Sequence, residues 1–154
     1  MKKIIFSVIL IIASITCMSC GSSSSVEGFS DVIGKDWKLI EVRSDNKDVS
    51  FNRNALSKED AKDIFTMKID AEIISGKGAS NIFSSPYKLG EGQSIEIMPM
   101  RSTLMAPLRQ PEKLKEHEFL LYLQNSSEWK VVDKKLEFHS KTDEGSTIVL
   151  VFSL

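Results

Sequence analysis

The run Ile148-Val149-Leu150-Val151-Phe152 would put apolar side chains on both faces of any strand it forms. Such a strand needs cover on both sides, so the run predicts a central strand rather than an edge. The residues before it supply its neighbours. In "KLEFHS", Leu136 and Phe138 alternate with Glu137 and His139, and "KTDEGS" with Gly145 separates this stretch from the apolar run, which reads as a hairpin. "EWKVVD" precedes them across a turn at Lys134.

The same reading extends towards the N-terminus. "DWKLIEVR" is strand-like without clean alternation, because Trp37, Leu39 and Glu41 share one side and Lys38, Ile40 and Val42 the other. Ser44 to Ser50 is polar and reads as a turn or loop. Ser57 followed by Asp60 predicts a capping box opening a short helix over "SKEDAKD". In "IFTMKID", Phe65, Met67 and Ile69 alternate with polar residues, and "AEIISG" returns antiparallel after a tight turn at Asp70-Ala71. "GKGASN" reads as a connection between strands in which Gly76 and Gly78 permit unusual backbone angles and Asn81 bonds nearby backbone, and Phe83 and Tyr87 carry the chain into the sheet.

"SIEIMPM" gives a further alternating strand, with Ile95, Ile97 and Pro99 opposite Glu96, Met98 and Met100; Pro99 belongs at an edge or a strand end. "PEKLKEHEFLLYLQN" predicts the main helix, with Pro111 in its first turn. Phe119 and Leu123, with Leu114 and Leu121, give it a wide apolar face. The order of strands, helix and strands makes the expected class α+β, with a mostly antiparallel β-sheet, one main helix and a second short one.

The first residues carry an address. Lys2-Lys3, the apolar run Ile4 to Ile15 and the small residues near Cys20 have the parts of a secretory signal peptide over residues 1–19. The run is shorter than the roughly 20 residues of a membrane span. Ser19-Cys20-Gly21 resembles a bacterial lipobox, with Cys17 where leucine is usual, so Cys20 is the expected lipidation site. The alternative is a plain signal peptide with two incidental cysteines. Residues 20–30 read as a flexible tether and 31–154 as one domain.

Cleavage before Cys20 removes Cys17, and with lipid on Cys20 no cysteine is left for a disulfide, metal or nucleophile, so core packing alone must hold the fold. Of the 20 basic residues, Lys2 and Lys3 leave with the signal, and 21 acidic residues remain. That balance gives no basic surface for nucleic acid.

Chemical motifs are sparse. Gly76-Lys77-Gly78 has one residue where a phosphate loop needs four, and the third glycine of a dinucleotide fingerprint would fall at Asn81. Ser80 as a nucleophile needs a base, and only His117 and His139 are available, neither in a hydrolase context. Met98, Met100 and Met105 could bind a soft metal, but no His-x-Met spacing accompanies them. Glu59, Asp60 and Asp63 read as a solvated face. We therefore expect a non-enzymatic protein with no metal or cofactor.

The quoted segments, taken in order, resemble the META domain of HslJ-like bacterial lipoproteins. The match rests on Gly76, Asn81, Phe83 and Tyr87, then Thr103, Met105 and Ala106, then Glu116, Phe119 and Leu123, over roughly residues 34 to 153. Ser80 and Pro107 stand where many members carry cysteines, which the resemblance reads as a lost pair. The resemblance implies a compact, curved antiparallel sheet with a helix packed across it. It also implies heat-induced expression, antibiotic tolerance or virulence, without an established reaction. The fold is similar to secretin-pilot lipoproteins, which bind peptides and lipid tails in an apolar groove.

The resulting expectation is a monomeric, lipid-anchored protein of the bacterial cell envelope, at the outer membrane on its periplasmic or surface side. It would bind an envelope protein or an apolar ligand, and Met98, Met100, Leu104 and Met105 are the candidate groove. The alternative is a structural or stress-tolerance lipoprotein with no specific ligand.

Overall fold

The computed structural model describes residues 28–56, 62–106 and 110–154. The expected signal peptide, Cys20 and most of the expected tether lie outside them, as do Ser57, Glu59, Asp60 and Pro107. The strands are β1 (Asp36–Ser44), β2 (Phe51–Asn52), β3 (Thr66–Ile69), β4 (Ile73–Lys77), β5 (Ile82–Leu89), β6 (Ile95–Ile97) and β7 (Arg101–Ser102). After them come helix α1 (Glu116–Gln124) and strands β8 (Ser126–Val132), β9 (Lys135–Lys141) and β10 (Thr147–Ser153).

They form one sheet in the order β6-β5-β4-β3-β1-β10-β9-β8, with β2 beside β1 and β7 beside β5. Each of these pairings is antiparallel. The sheet curls until its ends meet: Ser94 bridges Glu128, and Trp129 N–H donates to Gln93 C=O at 2.9 Å. The result is a nearly closed barrel with one α-helix among the described residues, more sheet-dominated than the α+β expectation.

β10 lies between β1 and β9, as its composition requires. Ile148, Leu150 and Phe152 enter the core, while Val151 is fully buried opposite Glu41 and Glu137 on the neighbouring strands. Arg43 Nη1 reaches from β1 to Glu137 Oε1 at 3.0 Å, and His139 Nε2 lies 3.1 Å from Glu137 Oε2. The second apolar face of this strand thus sits beneath a bridge of charged side chains. The turn between β8 and β9 has positive φ at both Asp133 and Lys134, the twist a tight hairpin needs.

β1 explains its own irregular pattern. A register shift between Leu39 and Glu41 changes the inward parity, so that Trp37, Leu39 and Val42 are all buried. Arg53 reinforces this point, donating from Nε to Leu39 C=O at 2.5 Å and from Nη2 to Ile64 C=O at 2.6 Å.

Several expectations need correction. The helix begins at Glu116, not at Pro111. Gln110 Oε1 accepts from Glu116 N–H at 3.0 Å and Glu118 Oε2 from Lys115 N–H at 2.6 Å, so the first turn is capped there. Leu114 is buried ahead of the helix and Leu121 is half exposed, so the inward face is the narrow one of Glu116, Phe119 and Leu123. Of the predicted second helix, residues 57–61 lie outside the described residues, and Lys62 and Asp63 form a turn. The tether stops short of Ser30, because Phe29 is buried in a 3-10 helix, Phe29–Val32, against Tyr87 and Trp129 with ring centroids 5.4 and 4.8 Å away.

Candidate functional site

The segment Gly76 to Tyr87 is the β4–β5 hairpin. Gly76 lies inside β4, and neither it nor Gly78 has positive φ, so unusual backbone angles are not their role. Their role is clearance. A Cβ on Gly76 would stand 2.0 Å from Thr66 C=O and 2.9 Å from the Phe83 ring, and one on Gly78 would stand 2.3 Å from Glu116 Oε1.

The space above Gly78 holds a buried polar network. Glu116, on the first turn of α1, is 5% exposed and Asn81 is 7% exposed, so neither can rely on water. Glu116 Oε1 accepts from Ser80 N–H at 2.9 Å and Asn81 N–H at 2.8 Å; Oε2 accepts from Asn81 Nδ2 at 2.7 Å. Asn81 Nδ2 also donates to Met105 C=O at 2.9 Å. Its Oδ1 accepts from Thr103 Oγ1 at 2.8 Å and Met105 N–H at 2.7 Å. All four hydrogen-bonding positions of the amide are therefore filled, two as donor and two as acceptor, a combination that aspartate cannot supply when ionised.

This network sets the charge on Glu116. Burial alone pushes its carboxyl up, but the donations from Asn81 N–H, Ser80 N–H and the Asn81 side chain outweigh that, and the net shift is below the ordinary carboxylate range. The group is a fixed anion satisfied by backbone and amide donors, which suits holding a loop more than moving a proton.

The held loop is Thr103 to Ala106. Leu104 is 98% exposed and Met105 57% exposed, yet Met105 is tied to Asn81 through both its N–H and its C=O. The two side chains border an open cleft of about 430 Å³ lined also by Ala106, Gln110, His117 and Leu120, with Asn81 and Glu116 at its base. A second depression of about 490 Å³ adjoins it around Ile82, Arg101 and Ser102.

The four candidate groove residues separate. Leu104 and Met105 line the cleft, Met100 packs against the core, and Met98 is half-buried beside neither depression. The alternation predicted for "SIEIMPM" ends at Ile97, and Pro99 is exposed beyond the strand end. Ser80 is held by its amide and does not line the cleft that His117 borders; His139 pairs with Glu137 on β9. Among the described residues no three His, Cys, Asp or Glu side chains are grouped to hold a metal.

The motif residues from Gly76 to Leu123 account for this arrangement together. Phe119 stacks in the core against Phe65, Phe83 and Phe152 at 4.7, 5.9 and 6.4 Å between centroids, and Leu123 is fully buried one turn on. Tyr87 Oη donates to Asp70 C=O at 2.8 Å, with Ala71 C=O at 3.0 Å, closing the β3–β4 turn that lacks a glycine.

The model of the META domain matches residues 30–151, nearly all of the described fold. The chain belongs to the META-domain family. A solved structure described as the NMR structure of the protein from Burkholderia xenovorans is similar in fold, with a TM-score of 0.56 and 18% identity over 80% of this chain and 85% of that one. No curated protein matches the sequence. The family resemblance marks Asn81, Thr103, Met105 and Glu116 but not their common contact. Nothing in the local sequence of Gln110 marks it as a helix cap 6 residues before the observed start.

Proposed function

We propose that this META-domain protein is a lipid-anchored, non-enzymatic component of the bacterial cell envelope that binds a partner protein or an apolar ligand through the cleft beside Leu104 and Met105. The observation behind this reading is the contrast between side chain and backbone at Met105. Exposed apolar side chains usually sit on loops that can move away; here Asn81 holds the backbone beneath them, so little ordering entropy is lost when a partner covers them. Methionine adapts its shape to varied apolar surfaces, which fits such a role.

The lipid anchor rests on Cys20 and the segment before it. No helix among the described residues is long and apolar enough to cross a membrane. The family's association with stress tolerance gives this binding a setting without defining it.

A photo-crosslinking residue in place of Leu104 in cells, together with thermal shifts of the purified protein with fatty acids, tests the reading. A discrete adduct, or stabilisation that Met105→Ser removes, is the expected result. Blank results from both arms would favour a structural lipoprotein with no specific ligand.

A further inference from the structure

The strand directions place the two termini of the described fold at one end of the barrel. β3 runs into the turn at Asp70-Ala71, and Gly34 N–H donates to Ile69 C=O at 2.8 Å beside it. Phe29 packs on Tyr87, whose hydroxyl closes the same turn. β10 ends there too, because Ser153 pairs with Lys38 near the start of β1, and the pairing of β9 with β10 brings the Asp133-Lys134 turn to the same end. The Asn81–Glu116 network and its cleft belong to the opposite end, where β4 turns into β5.

Exposed apolar side chains gather at the end with the termini. Of the nine large ones among the described residues, Ile33, Ile73, Leu89, Val132 and Leu154 occur there, each between 37% and 64% exposed. Charges of both signs flank them in the chain, Lys88, Lys134 and Lys135 together with Asp70, Glu72, Glu91 and Asp133. Several exposed apolar residues at one end, with mixed charge, suit the interface of a bilayer better than an ionic partner.

The chain outside the described residues argues for the same occupant. Only the seven residues Gly21 to Glu27 separate Cys20 from Gly28. Seven residues reach at most about 25 Å. A strand as long as β1 spans about 30 Å, so a lipid on Cys20 holds the Phe29 end near the membrane while the far end can stay clear of it.

We infer that the barrel rests on the lipid bilayer through the Ile33, Ile73, Leu89 and Val132 end and displays the Leu104–Met105 cleft away from it. The inference depends on the lipid anchor proposed above. It is tested on the acylated full chain in phosphatidylethanolamine and phosphatidylglycerol vesicles, with a single cysteine at Ile73, Val132 or Leu104 carrying an environment-sensitive fluorophore. Labels at Ile73 and Val132 should shift to the blue and be quenched by nitroxide-bearing lipids, whereas a label at Leu104 should respond only to aqueous iodide. Equal or reversed quenching on an acylated protein overturns the orientation and leaves the anchor intact. A protein whose mass shows no acyl chain, and which stays free of vesicles, overturns the anchor and the orientation together.

Discussion

Replacing Glu116 by glutamine keeps the shape of the side chain and removes the charge that three donors converge on. Glutamine's one oxygen can still accept from Ser80 N–H and Asn81 N–H, but its NH2 then faces Asn81 Nδ2 across the former 2.7 Å contact. Asn81 cannot turn its amide over, because Oδ1 is already committed to Thr103 and Met105. At least two buried donors are left unmet, one on Asn81 and one on the glutamine, at about 1–3 kcal/mol each, and two charge-assisted bonds become neutral. Sparing the desolvation of a carboxylate offsets part of this. The expected loss is about 3 kcal/mol at neutral pH, or roughly 10 °C in melting temperature for a domain of this size.

The sign of the pH dependence follows from the depressed folded pKa. Glu116 contributes stability above its unfolded pKa of about 4.3, and that contribution is lost as pH falls through the lower folded value. Denaturant unfolding of the two proteins should therefore show a gap at neutral pH that narrows as pH falls below the unfolded value. A variant within about 0.5 kcal/mol of the parent, or a gap independent of pH, would refute the reasoning.

Asn81→Asp puts a second carboxylate against Glu116 and should cost about 3–5 kcal/mol at neutral pH, with part recovered in acid, as unfolding curves at two pH values would reveal. Phe119→Ala should cost about 3–5 kcal/mol because its ring touches three others, whereas Leu121→Ser on the exposed face should stay within about 0.5 kcal/mol; comparable losses would mean the inward face is misassigned. Gly76→Ala must push backbone rather than a flexible side chain, and a drop of about 3 kcal/mol or more in unfolding free energy is expected. Burial first, then Asp70 and Glu72, raises the Tyr87 pKa, so stability should be full below about pH 10 and decline above it. Tyr87→Phe should remove that component from a spectrophotometric titration.

Local patterns were the legible part of the sequence. The doubly apolar β10, the hairpin turns and the alternation of Met67 and Ile69 are patterns within a few residues, and the structure keeps them. The bulge in β1 was visible only as a failed alternation, because a one-residue slip depends on what the neighbouring strands demand. The helix start was misplaced because Pro111, Glu112 and Lys113 are as helix-compatible as the residues after them, while the actual cap comes from Gln110 folding back. Phe29 was hidden in a polar stretch whose average composition reads as tether, although its one ring fills the end of the barrel. The resemblance named the site residues, but Asn81 and Glu116 are 35 positions apart, and no local period encodes a contact at that range.

The central claim is that this distant contact fixes the backbone beneath two exposed apolar side chains. Amide hydrogen exchange at Met105 tests it most directly, since that N–H bonds to buried Asn81 at the surface of the cleft. Protection approaching that of Leu150 in β10, and sharply reduced in Glu116→Gln, is the predicted result. Exchange as fast as in an open loop would contradict it.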